Sequence, residues 1–539
     1  MHRINFILLI AFLLAVPYNL AHIVHYIQAQ EFNGHRLAFL IAQLIQIFFI
    51  TSGVLFLCCM AKNTFKIICI FLIMCSAMLM YFSFVYNIAI DSILILNIFE
   101  TTSDEASLLI NLPFILTTIL LGIIPSIFII KLNIKGYKHN YLKDPLKLFW
   151  DPILYIWSVK KGIVALFILF IISVSLNKDI WFDRYIKRNA LAQVTPANYI
   201  GGLYEYFFVG RGDYSIKQKD ITKHYKFTES NKTLKEQPKT VVLVIGEGNR
   251  ASNQHYNGYI EETTPYTEKI NNIVNLSNMT SCGTSSAVSV SCLLSYINRD
   301  NYSIKNVLEY SNIFSVFNSL QYATYFVSIN AVQEDSSENL INLSIKDARN
   351  KFLTNGVRSV SATSGSLYDE NILPIIKNIQ KKTEERNKFI VIYLLTAHNP
   401  YHVRYPDKFN VFNNPKVNNR INTYNNAILY SDYMVAEIIN LFKHDNTLLY
   451  YVSDHGESLG ENGKFLHGNT WSLTDNKEEV HVASQFYMSP PMLKLLPNEY
   501  KKVVSKKNKA LSQDSVFNTL LDCVGVQSKI VDKKLSLCR

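Results

Sequence analysis

The chain has 539 residues, which is too long for one ordinary domain and suits two or three. Its hydrophobic content of 49% and its mean hydropathy of +0.10 are high and argue against a purely soluble protein. The formal net charge of +11 is compatible with nucleic acid or with anionic lipid. Because the apolar residues crowd into residues 1–180, we favour a membrane and expect no nucleic-acid partner.

Five apolar runs in the first third of the chain predict membrane-spanning helices. Each approaches the roughly 20 apolar residues that are needed to cross a bilayer. The first run could be a cleaved signal peptide, but four more runs follow it, so we interpret it as an uncleaved span. The predicted spans are residues 6–27, 38–60, 67–90, 108–130 and 162–182.

The charges of the connections predict the orientation of these spans. Lys62 and Lys66 occupy the second connection, and seven lysines lie in the fourth, between residues 131 and 161. The third connection holds acidic residues and no lysine or arginine. Because positively charged loops stay in the cytoplasm, we expect a cytoplasmic N-terminus and place everything after residue 182 on the outer side.

Cysteine usage agrees with export of the second half. Four cysteines follow the predicted spans, at positions 282, 292, 523 and 538. An even number in an exported region predicts disulfides. Four cysteines permit three pairings, among which we favour the sequence-local pairs Cys282–Cys292 and Cys523–Cys538.

The exported half divides into two regions that differ in amino-acid composition and hydropathy pattern. Residues 183–237 mix aromatic, charged and polar residues without a clear period, which predicts a linker along the membrane surface. From residue 238 to residue 539, short β-branched runs alternate with helical stretches, which is typical of an α/β sheet domain. The clearest predicted strands are residues 240–245, 389–395 and 447–452.

Residues that bind metals follow each of these three strands. Glu247 comes after the first strand, His398 after the second, and Asp454 and His455 after the third. In open α/β sheets, ligands bind beyond the carboxyl ends of the strands. Any one of these residues alone is more often a surface or capping residue, but their joint occurrence predicts a site. Imidazole and carboxylate together suit zinc.

A candidate nucleophile lies between the first two strands. Small hydroxylated residues at 280–286 precede an apolar run, residues 287–294, that predicts a helix. A helix N-terminus offers free N–H groups to a phosphate, and a hydroxyl there needs a metal or a base to become a nucleophile. The alternative is a plain N-cap serine. His467 follows a loop-like stretch after His455 and is placed to reach the same site.

These motifs resemble a known family. The exported half resembles the alkaline-phosphatase/sulfatase superfamily. Within it, the chain is similar to the phosphoethanolamine transferases that modify lipid A, a group that includes the mobile colistin-resistance enzymes. The most specific stretches are VIGE at residues 244–247, TSCGT at 280–284 and SDHGESLGENG at 453–463. The resemblance covers nearly the whole chain and implies a five-helix transmembrane domain, residues 1–182, followed by a sulfatase-like α/β domain.

The resemblance also implies roles for individual residues. Glu247, Asp454 and His455 would bind the catalytic zinc together with the nucleophile oxygen. The family places a threonine nucleophile four residues after the first cysteine of the motif, where this chain has Ser286. Cys282–Cys292 would be the disulfide beside it.

Substrate contacts are implied in two places. His398 and His467 would hold the phosphoethanolamine group or a second zinc. In the third connection, Asn97, Thr101 and Glu105 match a lipid-facing polar triplet, and their four-residue spacing places them on one helix face.

The activity implied is transfer of phosphoethanolamine from phosphatidylethanolamine to lipid A or a lipopolysaccharide core sugar. It would proceed through a covalent intermediate on Ser286 and depend on one or two Zn²⁺ ions. The expected enzyme is a monomer in the bacterial inner membrane with a periplasmic catalytic domain. Besides Ser286, the chain departs from the family at Asn399, where the family has glycine, and at Gln513, where it usually has histidine.

Four alternatives to this function are considered at this point. A phosphoglycerol transferase of the same superfamily and a catalytically impaired homologue are the nearest ones. A sulfatase would need a Cys/Ser-X-Pro-X-Arg motif, which the sequence lacks. A transporter is disfavoured because the spans carry few ionisable residues and show no repeat.

Overall fold

A computed structural model describes two compact units, Met1–Val209 and Gly210–Arg539. The predicted linker, residues 183–237, is therefore divided between the two units. Apart from a few isolated positions, the described residues are 1–28, 34–58, 62–86, 110–135, 194–204, 218–329, 340–353, 368–461, 465–468 and 477–539.

The described part of the N-terminal unit is helical. Its helices are α1 (Arg3–Ala15), α2 (Leu20–Gln28), α3 (Gly34–Cys58), α4 (Lys62–Tyr86), α5 (Leu112–Thr117), α6 (Ile124–Lys131) and α7 (Ala197–Tyr204). A π-helical turn, Thr118–Ile123, joins α5 to α6. Pro17, which lacks a backbone N–H, follows the end of α1. The buried Asn19 side chain donates to the carbonyl oxygens of Leu14 and Ala15, so carbonyls freed at this break keep a partner.

The predicted spans are found in part. Three stretches of the described residues are long and apolar enough to cross a membrane: Arg3–Val24, Thr64–Val85 and Leu112–Lys131. The predicted span 38–60 coincides with α3, whose apolar part, Leu40–Phe56, is shorter than a usual span. The fifth predicted span, residues 162–182, lies outside the described residues. A helical membrane unit is therefore present, and five spans are not confirmed.

The C-terminal unit is built on a sheet that has seven strands within the described residues. In chain order they are β1 (Lys239–Gly246), β2 (Ile273–Asn275), β3 (Ala323–Ser328), β4 (Asn350–Leu353), β5 (Asn387–Tyr393), β6 (Thr447–Ser453) and β7 (Ser484–Met488). Across the sheet the order is β2-β7-β6-β1-β5-β3-β4. Strands β6, β1, β5, β3 and β4 are parallel, and β7 pairs antiparallel with β6 and β2. The three predicted strands correspond to β1, β5 and β6.

Both faces of this sheet are covered. Alternate residues of β1 enter two different apolar clusters, with Val241 and Leu243 in one and Val242 and Val244 in the other. A strand buried on both faces reads as a continuous apolar run, which is why β1 was recognisable in the sequence. The predicted α/β architecture of this unit is confirmed.

Helices and short strands complete the C-terminal unit. The helices are α8 (Ile221–His224), α9 (Lys232–Lys235), α10 (Ser286–Leu294), α11 (Ile304–Glu309), α12 (Ile313–Ser319), α13 (Leu340–Ile345), α14 (Leu373–Gln380), α15 (Asn419–Phe442), α16 (Lys477–Val480), α17 (Pro490–Leu495), α18 (Pro497–Ser505) and α19 (Asp514–Cys523). Two-residue strands lie at Thr228–Glu229, Met279–Thr280, Ser458–Leu459, Phe465–Leu466, His481–Val482, Leu511–Ser512 and Val526–Gln527.

The sheet register aligns the predicted site residues. Gly246 at the end of β1 pairs with Ser453 at the end of β6, so Glu247 and Asp454 follow at the same level. On the other side of β1, Ile245 pairs with Tyr393, the last residue of β5.

Candidate active site

Three central strand ends supply a buried polar cluster. Glu247 follows β1, and Asp454 and His455 follow β6; their exposed fractions are 1%, 0% and 0%. The Nε2 atom of His455 lies 3.2 Å from Oε1 of Glu247 and 3.7 Å from Oδ2 of Asp454. Buried ionisable groups at such distances need mutual compensation, which is typical of a functional or metal site.

Ser286 is the first residue of α10, and its hydroxyl reaches this cluster. Its Oγ donates to Oε2 of Glu247 at 3.2 Å and lies 3.1 Å from Nε2 of His455. The N-cap position belongs to Ser285, so Ser286 is not a plain N-cap serine. The hydroxyl therefore sits between the strand ends and the N-terminus of α10.

Both favoured disulfides are present. Cys282 is bonded to Cys292 and Cys523 to Cys538, at sequence separations of 10 and 15. The first bond ties the loop before α10 to the helix itself, so it constrains the segment that carries Ser286.

The donor atoms fit a metal such as zinc. One ligand atom each from Glu247, His455 and His467 lies within 4.8 Å of the others. Nδ1 of His455 donates to the carbonyl oxygen of Gly456 at 2.8 Å, which leaves Nε2 as the atom that faces Glu247 and Ser286. Metal-binding histidines are commonly held through their other ring nitrogen in this way. Imidazole and carboxylate donors together suit zinc.

The electrostatics of the cluster call for a cation. Burial and the neighbouring carboxylate of Glu247 raise the pKa of Asp454 to about 7. Burial alone would lower the pKa of His455, but Asp454 and Glu247 raise it to about 10. Burial opposes ionisation of Glu247, yet the hydrogen bond and charge of His455 hold its pKa well below its ordinary value. Two buried carboxylates thus strongly favour a positive charge at the position of His455 Nε2.

Two residues that sequence reasoning passed over complete the cluster. Tyr393, the last residue of β5, donates its hydroxyl to Glu247 and lies 3.0 Å from Oδ2 of Asp454. Glu457 is buried, and its Oε2 lies 3.0 Å from Nδ1 of His467. Tyr393 lies within a predicted strand and Glu457 within a quoted motif, but nothing in the local sequence reveals what either contacts.

The two predicted substrate histidines lie next to the cluster. The ring centroid of His467 is 4.0 Å from that of His455, and that of His398 is 6.5 Å from that of His467. Arg404 contacts His398 twice. Its Nε lies 3.2 Å from the carbonyl oxygen of His398, and its Nη2 lies 3.2 Å from His398 Nδ1. The predicted lipid-facing residues Asn97, Thr101 and Glu105 lie outside the described residues.

Gln513 links the nucleophile segment to β6. Its Nε2 donates to the carbonyl oxygens of Ser453 and Asp454, both at 2.7 Å, and its Oε1 accepts from Cys282 N–H at 2.6 Å. Gln513 is 2% exposed. The glutamine that stands in place of the family's usual histidine thus has a defined structural role.

Arg250 and Gly456 fix the loop that follows β6. The guanidinium of Arg250 donates to the carbonyl oxygen of Glu457 at 3.1 Å and to Glu461 at 2.7 Å. A Cβ on Gly456 would lie 2.1 Å from the carbonyl oxygen of Glu478, so a larger residue would displace the backbone. The positions of His455 and Glu457 therefore depend on close backbone packing.

Comparison with known proteins places this geometry in a family. Residues 239–526, more than half of the chain, match the family model described as sulfatase. The chain belongs to the sulfatase family. Residues 47–208 match a second family model, described as phosphoethanolamine transferase EptA/EptB.

Individual proteins extend the similarity to both units. Phosphoethanolamine transferase EptA of Escherichia coli strain K12 is 26% identical over 578 aligned residues, which cover 100% of this chain and 97% of that protein. The integral membrane lipooligosaccharide phosphoethanolamine transferase A from Neisseria meningitidis matches with a TM-score of 0.78 and 21% identity, over 99% of this chain and 98% of that one. The periplasmic domain of EptC from Escherichia coli, solved in complex with zinc, matches with a TM-score of 0.52 and 23% identity, over 58% and 89%.

These similarities confirm two predictions from the sequence. The chain resembles phosphoethanolamine transferases along its whole length, and the prediction of a transferase enzyme is confirmed. The structural matches show the shared fold of a membrane unit joined to a sulfatase-like unit.

Proposed function

We propose that the chain transfers phosphoethanolamine from phosphatidylethanolamine to lipid A or to a core sugar of lipopolysaccharide. The observation that carries the proposal is the position of the Ser286 hydroxyl, 3.1 Å from His455 Nε2 and 3.2 Å from Glu247 Oε2. We infer that the transferred group is phosphoethanolamine because the similar proteins are named as phosphoethanolamine transferases. We place the catalytic unit in the periplasm and the helical unit in the inner membrane, in keeping with the lysine distribution.

We assign zinc to Glu247, Asp454, His455 and the Ser286 oxygen, with His398 and His467 available for the headgroup or a second ion. Support comes from the donor types and from the zinc complex of the EptC domain. When bound, zinc would lower the pKa of the hydroxyl and offset negative charge on the transferred phosphoryl group.

The reaction has two steps on this chain. In the first, Ser286 Oγ forms a bond to the phosphorus of the donor, and the bond from phosphorus to the diacylglycerol oxygen breaks. The hydroxyl proton leaves with the diacylglycerol, and phosphoethanolamine remains on Ser286. The N-terminus of α10 directs free N–H groups and a positive dipole end towards the bound phosphoryl group.

In the second step an oxygen of the acceptor forms a bond to the same phosphorus while the bond to Ser286 breaks. The proton of the acceptor returns to Ser286 Oγ. With the catalytic zinc assigned to Glu247, Asp454 and His455 and no second ion on His467, we assign proton movement at the site to His467, because Glu457 holds its Nδ1 and its ring lies 4.0 Å from that of His455. A histidine oriented by a carboxylate is suited to accept and return a proton.

The test uses two adjacent serines as a matched pair. Ser286→Ala should abolish lipid A modification in cells, and the purified full-length variant should acquire no added mass from phosphatidylethanolamine. Ser285→Ala also removes one buried hydroxyl at the start of α10, and it should remain active. The peptide containing residues 282–292 should carry phosphoethanolamine at Ser286. Modified lipid A in cells with Ser286→Ala, or an adduct on Thr284, would overturn the assignment.

A further inference from the structure

A polar cleft is lined by residues that flank His398 and His467 in the sequence. Its volume is about 460 Å³, within the roughly 300–1,000 Å³ of ordinary ligand sites. The residues that matter for its chemistry are Asn399, Asn418, Asn419, Arg420, Thr423 and Phe465. Among the described residues that line it, none is acidic, and Arg420 carries its formal positive charge.

Short chain segments connect this cleft to the site. Asn399 directly follows His398, and Phe465 precedes His467 by two residues. The ring centroid of His467 lies 6.5 Å from that of His398 and 4.0 Å from that of His455, whose Nε2 lies 3.1 Å from Ser286 Oγ. A ligand in the cleft therefore lies next to the histidines that border the nucleophile.

The guanidinium of Arg420 is held in a defined position. Its central carbon lies 4.3 Å from the centroid of the Phe465 ring, a stacked cation–π arrangement. Gly460 also lies close to this ring, because a Cβ on Gly460 would lie 3.1 Å from a ring carbon. Gly460 has φ of +131°, a conformation that favours glycine. Backbone and ring together thus act as a platform for one arginine.

Arg420 differs from the other arginines around the site. Arg250 is committed to Glu461 and to the carbonyl oxygen of Glu457, and Arg404 to backbone and ring atoms of His398. Among the residues that the structure describes, no carboxylate forms an ion pair with Arg420. Its hydrogen-bonding edge is therefore available to a ligand. An arginine fork matches the geometry of a phosphate.

We propose that this cleft binds the phosphate-bearing sugar headgroup of the acceptor, with Arg420 on its phosphate. The inference rests on the proposed function and extends it by separating two subsites. The donor phosphoryl group is held at Ser286, and the acceptor enters from the cleft past the histidines. The asparagines and Thr423 supply the polar lining that suits a hydroxyl-rich sugar.

The donor also contains a phosphate, so the test must distinguish the two lipids. The two-step reaction allows this. With purified full-length protein and a phosphatidylethanolamine bearing fluorescent acyl chains, diacylglycerol release measures the first step alone. Addition of lipid A to the modified protein then measures loss of phosphoethanolamine from Ser286.

Arg420→Gln should lower the acceptor step about tenfold or more at sub-saturating lipid A, the effect of losing a hydrogen bond to a charged group. It should leave diacylglycerol release within about twofold of the unchanged protein. Arg420→Lys keeps the positive charge but loses the planar pair of N–H donors, so it should recover only part of the rate of the acceptor step. The matched control is Lys416→Gln, which removes one exposed charge four residues earlier and should alter neither step.

A binding measurement keeps the inference separate from the proposed function. Glucosamine 1-phosphate should bind the full-length protein, and Arg420→Gln should weaken that binding about tenfold. Glucosamine itself should bind weakly to both. Arg420-dependent binding in a protein that releases no diacylglycerol would support the cleft and refute the transfer reaction. The cleft assignment fails if the sugar phosphate does not bind, if Arg420→Gln slows both steps equally or neither, or if Lys416→Gln has the same effect.

Discussion

Gln513 offers a direct test of how the two halves of the site are held together. Its side chain accepts from Cys282 N–H and donates to the carbonyl oxygens of Ser453 and Asp454. One partner lies in the segment that carries Ser286, and the other two lie at the end of β6. Replacement of the amide should therefore loosen the nucleophile relative to Asp454 and His455.

The magnitude follows from three buried hydrogen bonds. Each contributes roughly 0.5–1.5 kcal/mol net, and Gln513 is 2% exposed, so Gln513→Met should cost roughly 2–4 kcal/mol. Methionine has nearly the same length, so the loss should be of hydrogen bonds and not of packing volume. At an unfolding entropy of about 2.1 cal/mol/K per residue over residues 210–539, that free energy corresponds to a fall in Tm of roughly 3–6 °C.

Gln513→Glu sharpens the test because it keeps the shape and the acceptor but removes the donor. A carboxylate oxygen would then face two carbonyl oxygens at the positions that Nε2 now contacts at 2.7 Å. We expect the order of Tm at pH 7.5 to be glutamine, then methionine, then glutamate. Gln513→His should recover part of the stability, since a ring can donate on one side and accept on the other.

The assay is thermal unfolding of the purified full-length protein, followed by near-ultraviolet circular dichroism, with transfer activity measured on the same samples. The reasoning is wrong if Gln513→Glu is as stable as the glutamine protein. It is also wrong if both variants lose stability while their transfer rates are unchanged, because the link between Cys282 and β6 would then not position the nucleophile.

Three further outcomes are expected. Asp454→Ala should lose most bound zinc and transfer activity while the membrane unit still inserts, and full zinc occupancy in that variant would refute the ligand assignment. Burial raises the pKa of Asp432 from 3.8 to about 7, so its contribution to stability is fully present below about pH 4 and is lost as pH rises to about 7. The free energy of unfolding should therefore fall between about pH 4 and about pH 7, and less so in Asp432→Asn. A phosphatase fused after residue 539 should be active in cells, whereas an inactive fusion together with an active cytoplasmic reporter would reverse the predicted orientation.

The sequence predicted those parts of the site that depend on local pattern. Strands β1, β5 and β6 are recognisable because β-branched and apolar residues run without interruption. Glu247 and Asp454 follow β1 and β6 directly, and His398 follows β5 after four residues. The convergence of strand ends then follows from the rule for parallel sheets, without any knowledge of the contacts. Cys282–Cys292 and Cys523–Cys538 were favoured because they are near in sequence, and the fold brings both pairs together.

The remaining parts depend on contacts between distant residues. Gln513 meets Cys282 across 231 positions, and Tyr393 meets Glu247 across 146. Neither residue carries a local signal, because a buried tyrosine at a strand end and a glutamine before a helix are both ordinary. Arg420 is similar: its position next to the site follows only from the stacking on Phe465. Residue type and spacing in the sequence suggest which side chains can bind a metal. They do not show which distant residues hold those side chains in position.

The charges of the cluster explain why these particular residues occur together. Glu247 and Asp454 are fully buried, and their mutual repulsion in a low-dielectric interior is costly unless a positive charge lies between them. His455 Nε2 occupies that position. The negative charge of the two carboxylates can be balanced by a proton on this nitrogen or by a divalent cation bound to it. The two compete for one nitrogen, so metal affinity should rise as the imidazole loses its proton. The Tyr393 hydroxyl donates its one proton to either of these carboxylates, and so partly offsets the negative charge of the one that accepts it. The Ser286 hydroxyl lies within hydrogen-bond distance of the same atoms, so whichever cation balances the carboxylates also lies beside the nucleophile.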